Sequence, residues 1–418
     1  MRKRILVGCG ALALAFAVLL GVEWFNNPSR RWQPPTVELP VPNAFDDYLR
    51  AGELASENYD FNKPDDSPSS NVAVRRRILA ENAEALKVLR GGFAHAYVEP
   101  RPSDPDTAQP YYAKFRKLAR VLSYEATEHA SNGRYAAALD SQLDAMRLGF
   151  DVPRRAGIIG LLVGIAARAI GRGEKMVQPR LDHLTAAEAR AAATRLAGLL
   201  AGEQSLAQTI ADERDIELAR RAKIARSASR FQLARSMPGD DNPRAALPLA
   251  LFGAGPWMAE YRRYMDAAAA WSKLPWNATP PPHPNRWFAW ADEDANLLNL
   301  EKCKHLAADA HDRMFLAALA LQAWRAAHGA YPDTLEALVP DILGAVPADP
   351  FGNGPLKYRR AGDKYALYSV GPDGQDDGGE PAVQRAKDDG QWHYNEAADS
   401  RGDLVWVTST QLMGKVRP

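Results

Sequence analysis

The side chains best placed for chemistry lie in one short stretch near the C-terminus, Ser369-Val-Gly-Pro-Asp-Gly-Gln-Asp-Asp-Gly-Gly379. Ser369, Asp373, Asp376 and Asp377 supply hard oxygen donors, and the glycines between them let backbone carbonyls turn inward. Asp403 adjoins the loop from the next apolar run. Calcium takes six to eight oxygen ligands, so these five residues form a candidate calcium site. The same residue types also make ordinary turns with solvated carboxylates.

Other chemistry has weaker support. His305 and His311 stand six positions apart, whereas two ligands on one helical face need a spacing of three or four. The chain has no GxSxG elbow, phosphate-binding GxxxxGK[ST] loop, HExxH pair or dinucleotide-binding glycine pattern. Its carboxylates include no pair marked for acid and base roles, so no catalytic residue is assigned. Two cysteines, Cys9 and Cys303, argue against a structural disulfide or a thiolate zinc site. With 52 basic and 51 acidic side chains the formal charge is +1, which gives no electrostatic case for nucleic acid.

The elements that must carry the loop begin at the N-terminus. Ile5 through Val22 is apolar without interruption and follows Arg2, Lys3 and Arg4. A bilayer core needs about 17–25 helical residues, so residues 5–22 suit a single transmembrane anchor with a cytoplasmic N-terminus. Leu6-Val7-Gly8-Cys9 matches a lipobox, but its apolar run lies after the cysteine instead of before it. No small-x-small cleavage pattern follows, and Trp24 and Phe25 suit the membrane interface.

Residues 1–25 are therefore expected to be the anchor and 26–70 an extended Pro-rich linker, with one short helix capped by Asn43. Residues 71–245 carry helical periodicity. Val74, Ile78, Asn82, Ala85, Leu86, Leu89 and Phe93 predict one helix, Tyr111 to Ala130 a second, and Gly133 to about Phe150 a third. The last two resemble a single tetratricopeptide hairpin, with a small-residue turn, an aromatic and a run of alanines. Gly157 to Gly171 is too short for a second span and contains Arg168, so it is expected to be a buried helix. Thr185-Ala-Ala-Glu188 is a capping box. The charges from Glu213 to Arg221 are expected to form a solvated helix face.

Residues 246–293 hold Trp257, Trp271, Trp276, Trp287 and Trp290, half of the ten tryptophans, with Pro280-Pro281-Pro282. This stretch is either an aromatic binding surface or a long connection packed by its indoles. Asn277-Ala-Thr279 fits a glycosylation sequon, a pattern short enough to arise by chance.

Residues 294–418 predict a long amphipathic helix to Gly329, turns at Tyr331-Pro332 and Pro347 to Gly352, and strands around Leu356–Arg359, Tyr365–Ser369 and Leu404–Thr408. That order resembles the globular head of the type II secretion major pseudopilin over about residues 294–410. The correspondence lies in the Tyr-Pro turn, the Pro-Asp-Pro turn with aromatic and glycine, the hairpin and the Gly-Asp-rich loop. The resemblance implies an α+β head with calcium in that loop, at Ser369 to Gly379 with Asp403. Two departures count against a polymerising pilin subunit. Met1 to Phe16 lacks the prepilin-peptidase motif, and Glu380 to Gly402 is inserted before the last strand.

The expected fold class is mainly α: an N-terminal transmembrane helix, an α-helical and partly tetratricopeptide-like ectodomain, and a pseudopilin-like α+β head with a small antiparallel sheet. The expected function is non-enzymatic. The chain would sit in the inner membrane with its bulk periplasmic and bind protein partners of the cell envelope in a role related to type II secretion or pilus-like systems. Two alternatives stay open: an envelope hydrolase acting on glycan or peptide through the Trp-rich surface, and a helical scaffold without metal.

Overall fold

The computed structural model describes residues 32–59, 67–101, 104, 106–107, 109–173, 180–227, 254–282, 291–385, 392–394 and 397–406. The expected anchor at residues 5–22 lies outside them, as do Trp287 and Trp290. Among the described residues, no helix is long and apolar enough to cross a membrane. The described architecture is mainly helical with a small antiparallel sheet.

Helix α1 (Ala44–Leu54) begins where the sequence places it. The Asn43 side chain accepts from the Phe45 and Val98 amides and donates to the Val98 carbonyl, so one residue caps the helix and ties it to a distant segment. The single helix expected after Asn71 is two, α2 (Val72–Glu81) and α3 (Ala83–Gly92). Asn82 breaks it. Its buried amide donates to the Ile78 and Ser56 carbonyls and accepts from the Ser56 amide, drawing the chain out of helical pairing.

Helices α4 (Tyr111–Ser131) and α5 (Tyr135–Asp151) form the expected hairpin, turned by Gly133 in the left-handed region. Helix α6 (Gly157–Arg172) is largely buried, as its composition predicted. Its glycines serve close packing. A Cβ added to Gly149 of α5 would lie 2.6 Å from the Gly164 carbonyl of α6, and one on Gly164 only 2.5 Å from the Gly149 carbonyl. Helix α7 (Ala186–Ala201) carries the complete capping box between Thr185 and Glu188.

Helix α8 (Leu206–Ser227) corrects the expectation of a solvated charged face. Asp215 and Arg221 are buried, and the Arg221 guanidinium lies over the rings of Tyr261 at 3.7 Å and Trp257 at 4.1 Å. Those aromatics belong to α9 (Gly255–Trp271), which occupies what the sequence suggested was irregular connection. Trp257, Tyr261, Tyr264, Met265, Ala268 and Trp271 all face inward at helical spacing, and Pro256 at the first turn is compatible with a helix start.

Helix α10 (Ala291–His328) is buried on nearly all sides from Glu301 to Ala323, where a one-sided amphipathic helix was expected. It is enclosed by α6 and α7 on one side and by the sheet on the other. One apolar core joins Leu143 and Met146 of α5 and Leu196 of α7 to Met314, Phe315 and Leu319 of α10, then to Leu367 and Trp406. Burial of each such large side chain stabilises by roughly 1.5–3 kcal/mol. The C-terminal unit thus shares its core with the helical body.

Strands β1 (Lys357–Ala361), β2 (Lys364–Ser369) and β5 (Leu404–Val405) form an antiparallel sheet in the order β1-β2-β5. Gly362-Asp363 is the two-residue hairpin turn that the sequence signalled. The insert after Glu380 contains a further antiparallel pair, β3 (Val383–Arg385) and β4 (Trp392–Tyr394).

Candidate functional site

The end of β2 and the turn at 347–356 converge on one buried carboxylate that sequence reasoning passed over. Asp349 accepts from the Phe351 amide at 3.0 Å, the Ser369 hydroxyl at 2.6 Å and the Val370 amide at 2.8 Å. Its own amide donates to Gly354, and Leu356 donates back to Pro347, closing the turn. The Pro-Asp-Pro spelling signalled a turn, but nothing local showed that its carboxylate would reach across to β2.

Four of the five predicted residues, Ser369 to Asp377, lie at one loop with Asp403 beside it, and the side chains of Ser369, Asp373, Asp376 and Asp403 are hydrogen-bonded. The Ser369 hydroxyl donates to Asp349 and accepts from the Gly371 amide. Asp373 accepts from the Gln375 and Gly402 amides. Asp376 accepts from the Gly378 amide and the Tyr368 hydroxyl and faces the Lys357 ammonium at 3.4 Å. Asp403, fully buried, accepts from Gly379 at 2.6 Å and Asp377 at 3.4 Å. Asp377 is exposed and contributes its amide to Asp403. Burial pushes the Asp403 carboxyl up to about 6, opposed by those two N–H donors and reinforced by the neighbouring Asp377 and Asp376 charges. Each of these carboxylates keeps lone pairs beside its present hydrogen bonds. Among the described residues, no group of three or more His, Cys, Asp or Glu side chains is placed to hold a metal ion.

Gly371 has φ of +68°, and a Cβ there would lie 2.5 Å from the Gly402 carbonyl, so only glycine suits this crossing. The following carbonyl, of Pro372, accepts from the Trp276 indole N–H at 2.6 Å. Trp276 also packs edge-on against Phe351, with ring centroids 5.6 Å apart. The stretch after α9 is thereby pinned to the loop, and a groove of about 790 Å³ lies between residues 273–280, 350–353 and 372–375.

Lys302 of α10 fixes the other side of that stretch. Its buried ammonium donates to the carbonyls of Leu274 at 3.0 Å, Pro275 at 3.2 Å and Trp271 at 3.4 Å, and lies 4.1 Å from the Trp271 ring centroid. Burial draws its pKa down to about 8. A lone lysine within a helical pattern carries no sequence signal for such a role.

A second depression, of about 220 Å³, lies among the helices. Ile158, Tyr261, Met265, Leu297 and Leu298 give it apolar walls, and Glu213, Glu217, Arg220 and Arg221 surround them. Glu217 pairs with both arginines, so much of that charge is internally balanced. Beneath the helices, Arg168 meets Glu203 at 2.6 Å and Asp312 at 3.1 Å, and Arg172 meets Asp312 at 2.5 Å. His305 lies 3.8 Å from Glu203, and burial together with the Arg168 charge lowers it to about 4. The two histidines considered for zinc are thus both buried in the helical core.

No protein-family model matches the chain, and no curated protein or solved structure matches it significantly. The likeness to the pseudopilin head therefore rests on the order of turns, helix and strands in this chain alone.

Proposed function

We propose that this chain is a non-enzymatic, membrane-anchored envelope protein that binds other proteins, with a role in assembly related to type II secretion or pilus-like systems. Residues 5–22 would hold it in the inner membrane and leave the bulk of the chain in the periplasm. The observation that carries the reading is the depression between α6, α8, α9 and α10. Its apolar walls could receive one large side chain of a partner, and its charged rim, already paired, would exclude water without demanding an oppositely charged ligand. Leu297, at this site, is 44 % exposed, so it is available for such a contact.

The test compares the wild type with Leu297→Arg in cells that possess a type II secretion system. The wild type should co-purify with a pseudopilin of that system, and deletion of the gene should lower secretion of a type II substrate. Leu297→Arg should lose both properties while melting at the wild-type temperature. Normal secretion in the deletion strain, without co-purification, would sink the proposal.

A further inference from the structure

The groove beside Trp276 has a chemistry that the protein-binding depression does not explain. It is concave and, at about 790 Å³, falls within the roughly 300–1,000 Å³ range of small-molecule sites. Three exposed planar amides, Asn277, Asn353 and Gln375, line it, and their side chains make no hydrogen bond to another described residue. Each amide offers both a donor and an acceptor, the complement of a hydroxyl that also does both. Lys273 and Asp373 are its charged residues, one of each sign, so the lining selects neither a polyanion nor a polycation. Trp276 and the proline rings of its walls provide apolar faces against which the C–H face of a sugar ring can pack.

The walls are also held before any ligand arrives. Trp276 is fixed by the Pro372 carbonyl, the stretch 271–275 by Lys302, and the 349–354 turn by the Asp349 carboxylate. Prior ordering of this kind lowers the entropic cost of binding. An extended peptide would favour a free strand edge, and these walls are turns and connections.

We infer that this groove binds an uncharged saccharide chain, as a non-catalytic glycan site distinct from the depression that carries the proposed protein contact. A glycan contact would position an envelope protein against the polysaccharide of its compartment. This inference does not rest on the secretion reading, and its test uses other residues.

The experiment is calorimetric titration of the full chain in detergent with chitotetraose and, separately, cellotetraose. We expect a dissociation constant of about 0.1–1 mM for at least one of them. The Asn277→Ala/Asn353→Ala double variant should bind about tenfold more weakly, from the loss of two polar contacts, and melt at the wild-type temperature because both positions are exposed. Binding of both sugars would mean that pyranose hydroxyls suffice, and binding of chitotetraose alone that the acetamido groups are read. No heat with either sugar at about 10 mM, unchanged affinity in the double variant, or saturable binding of a proline-rich peptide in place of sugar would overturn the inference. Leu297→Arg should leave sugar binding unchanged, so the glycan and secretion readings fail separately.

Discussion

Arg168 of α6 and Asp312 of α10 pair at 3.1 Å with side chains 2 % and 0 % exposed, joining the helical body to the long helix beneath the sheet. Asp312 also holds Arg172, and Arg168 also holds Glu203. Removing Asp312 would leave two buried guanidinium groups short of charge. Asp312→Ala should therefore destabilise by about 3–5 kcal/mol, the usual cost of breaking a buried pair from one side. Urea unfolding checks this. A loss below about 1 kcal/mol would mean that water reaches the site and screens the arginines.

Gly149 and Gly164 let α5 and α6 touch backbone to backbone. Gly164→Ala would place a methyl group 2.5 Å from the Gly149 carbonyl, which cannot rotate aside. The helices must part, at about 1–3 kcal/mol of overpacking strain, despite the gain in helix propensity from alanine. Gly198→Ala on α7 is the control, because nothing lies within 4 Å of its added Cβ. It should be neutral or stabilising in the same denaturation assay.

Glu99 is buried and accepts from the hydroxyls of Tyr111 at 2.7 Å and Tyr112 at 2.9 Å. Burial raises its carboxyl to about 7, those hydroxyls act in the opposite direction, and the Asp212 charge adds to the rise. The folded state thus binds a proton that the unfolded chain, titrating near an ordinary glutamate, has already released. Stability from this group is fully present below the unfolded value and is lost as pH rises through about 7. Between pH 5 and 8 the loss should be roughly 2–3 kcal/mol. Glu99→Gln should remove that part of the slope. If the variant and the wild type keep parallel pH profiles, Glu99 is ionised throughout that range.

Much of this architecture was legible locally. Asn43, the Thr185–Glu188 box, Gly133 and Gly362-Asp363 each act within a few residues of themselves, and the structure uses them as read. Helix α9 was less legible because the tryptophans and proline run around it are equally the composition of an irregular connection, which masks the 3.6-residue spacing of Trp257, Tyr261, Tyr264 and Met265. Burial of α10 on nearly all sides was hidden for another reason. Its Glu301, Lys302, Asp309 and Asp312 mark a wet face in isolation; Glu301 and Asp309 pair with Lys304 and Arg313 on the same helix, but Lys302 and Asp312 are capped or neutralised only by partners distant in sequence. The candidate site divides in the same way. Its loop residues were found by type, whereas Asp349, Trp276 and Lys302 acquire their roles across the fold.

The Asp349 turn and the aspartate loop give contrasting expectations under substitution and under added calcium. Asp349→Ala would strip the acceptor from three buried donors, of Phe351, Ser369 and Val370, and should cost about 2–4 kcal/mol. Asp373 stands at the loop surface, with two backbone donors that solvent can reach once it is gone, so Asp373→Ala should cost about 0.5–1 kcal/mol. The N–H groups already donating to Asp373, Asp376 and Asp403, and the Lys357 ammonium facing Asp376, weaken the field these carboxylates can offer a calcium ion. Calorimetric titration of the full chain with millimolar calcium should therefore give no saturable heat, and the melting temperature should rise by less than about 1 °C, since a ligand at 100 times its dissociation constant would add about 2.7 kcal/mol. A saturable heat that disappears in Asp403→Asn would show that the loop rearranges around the ion, as the pseudopilin likeness implies.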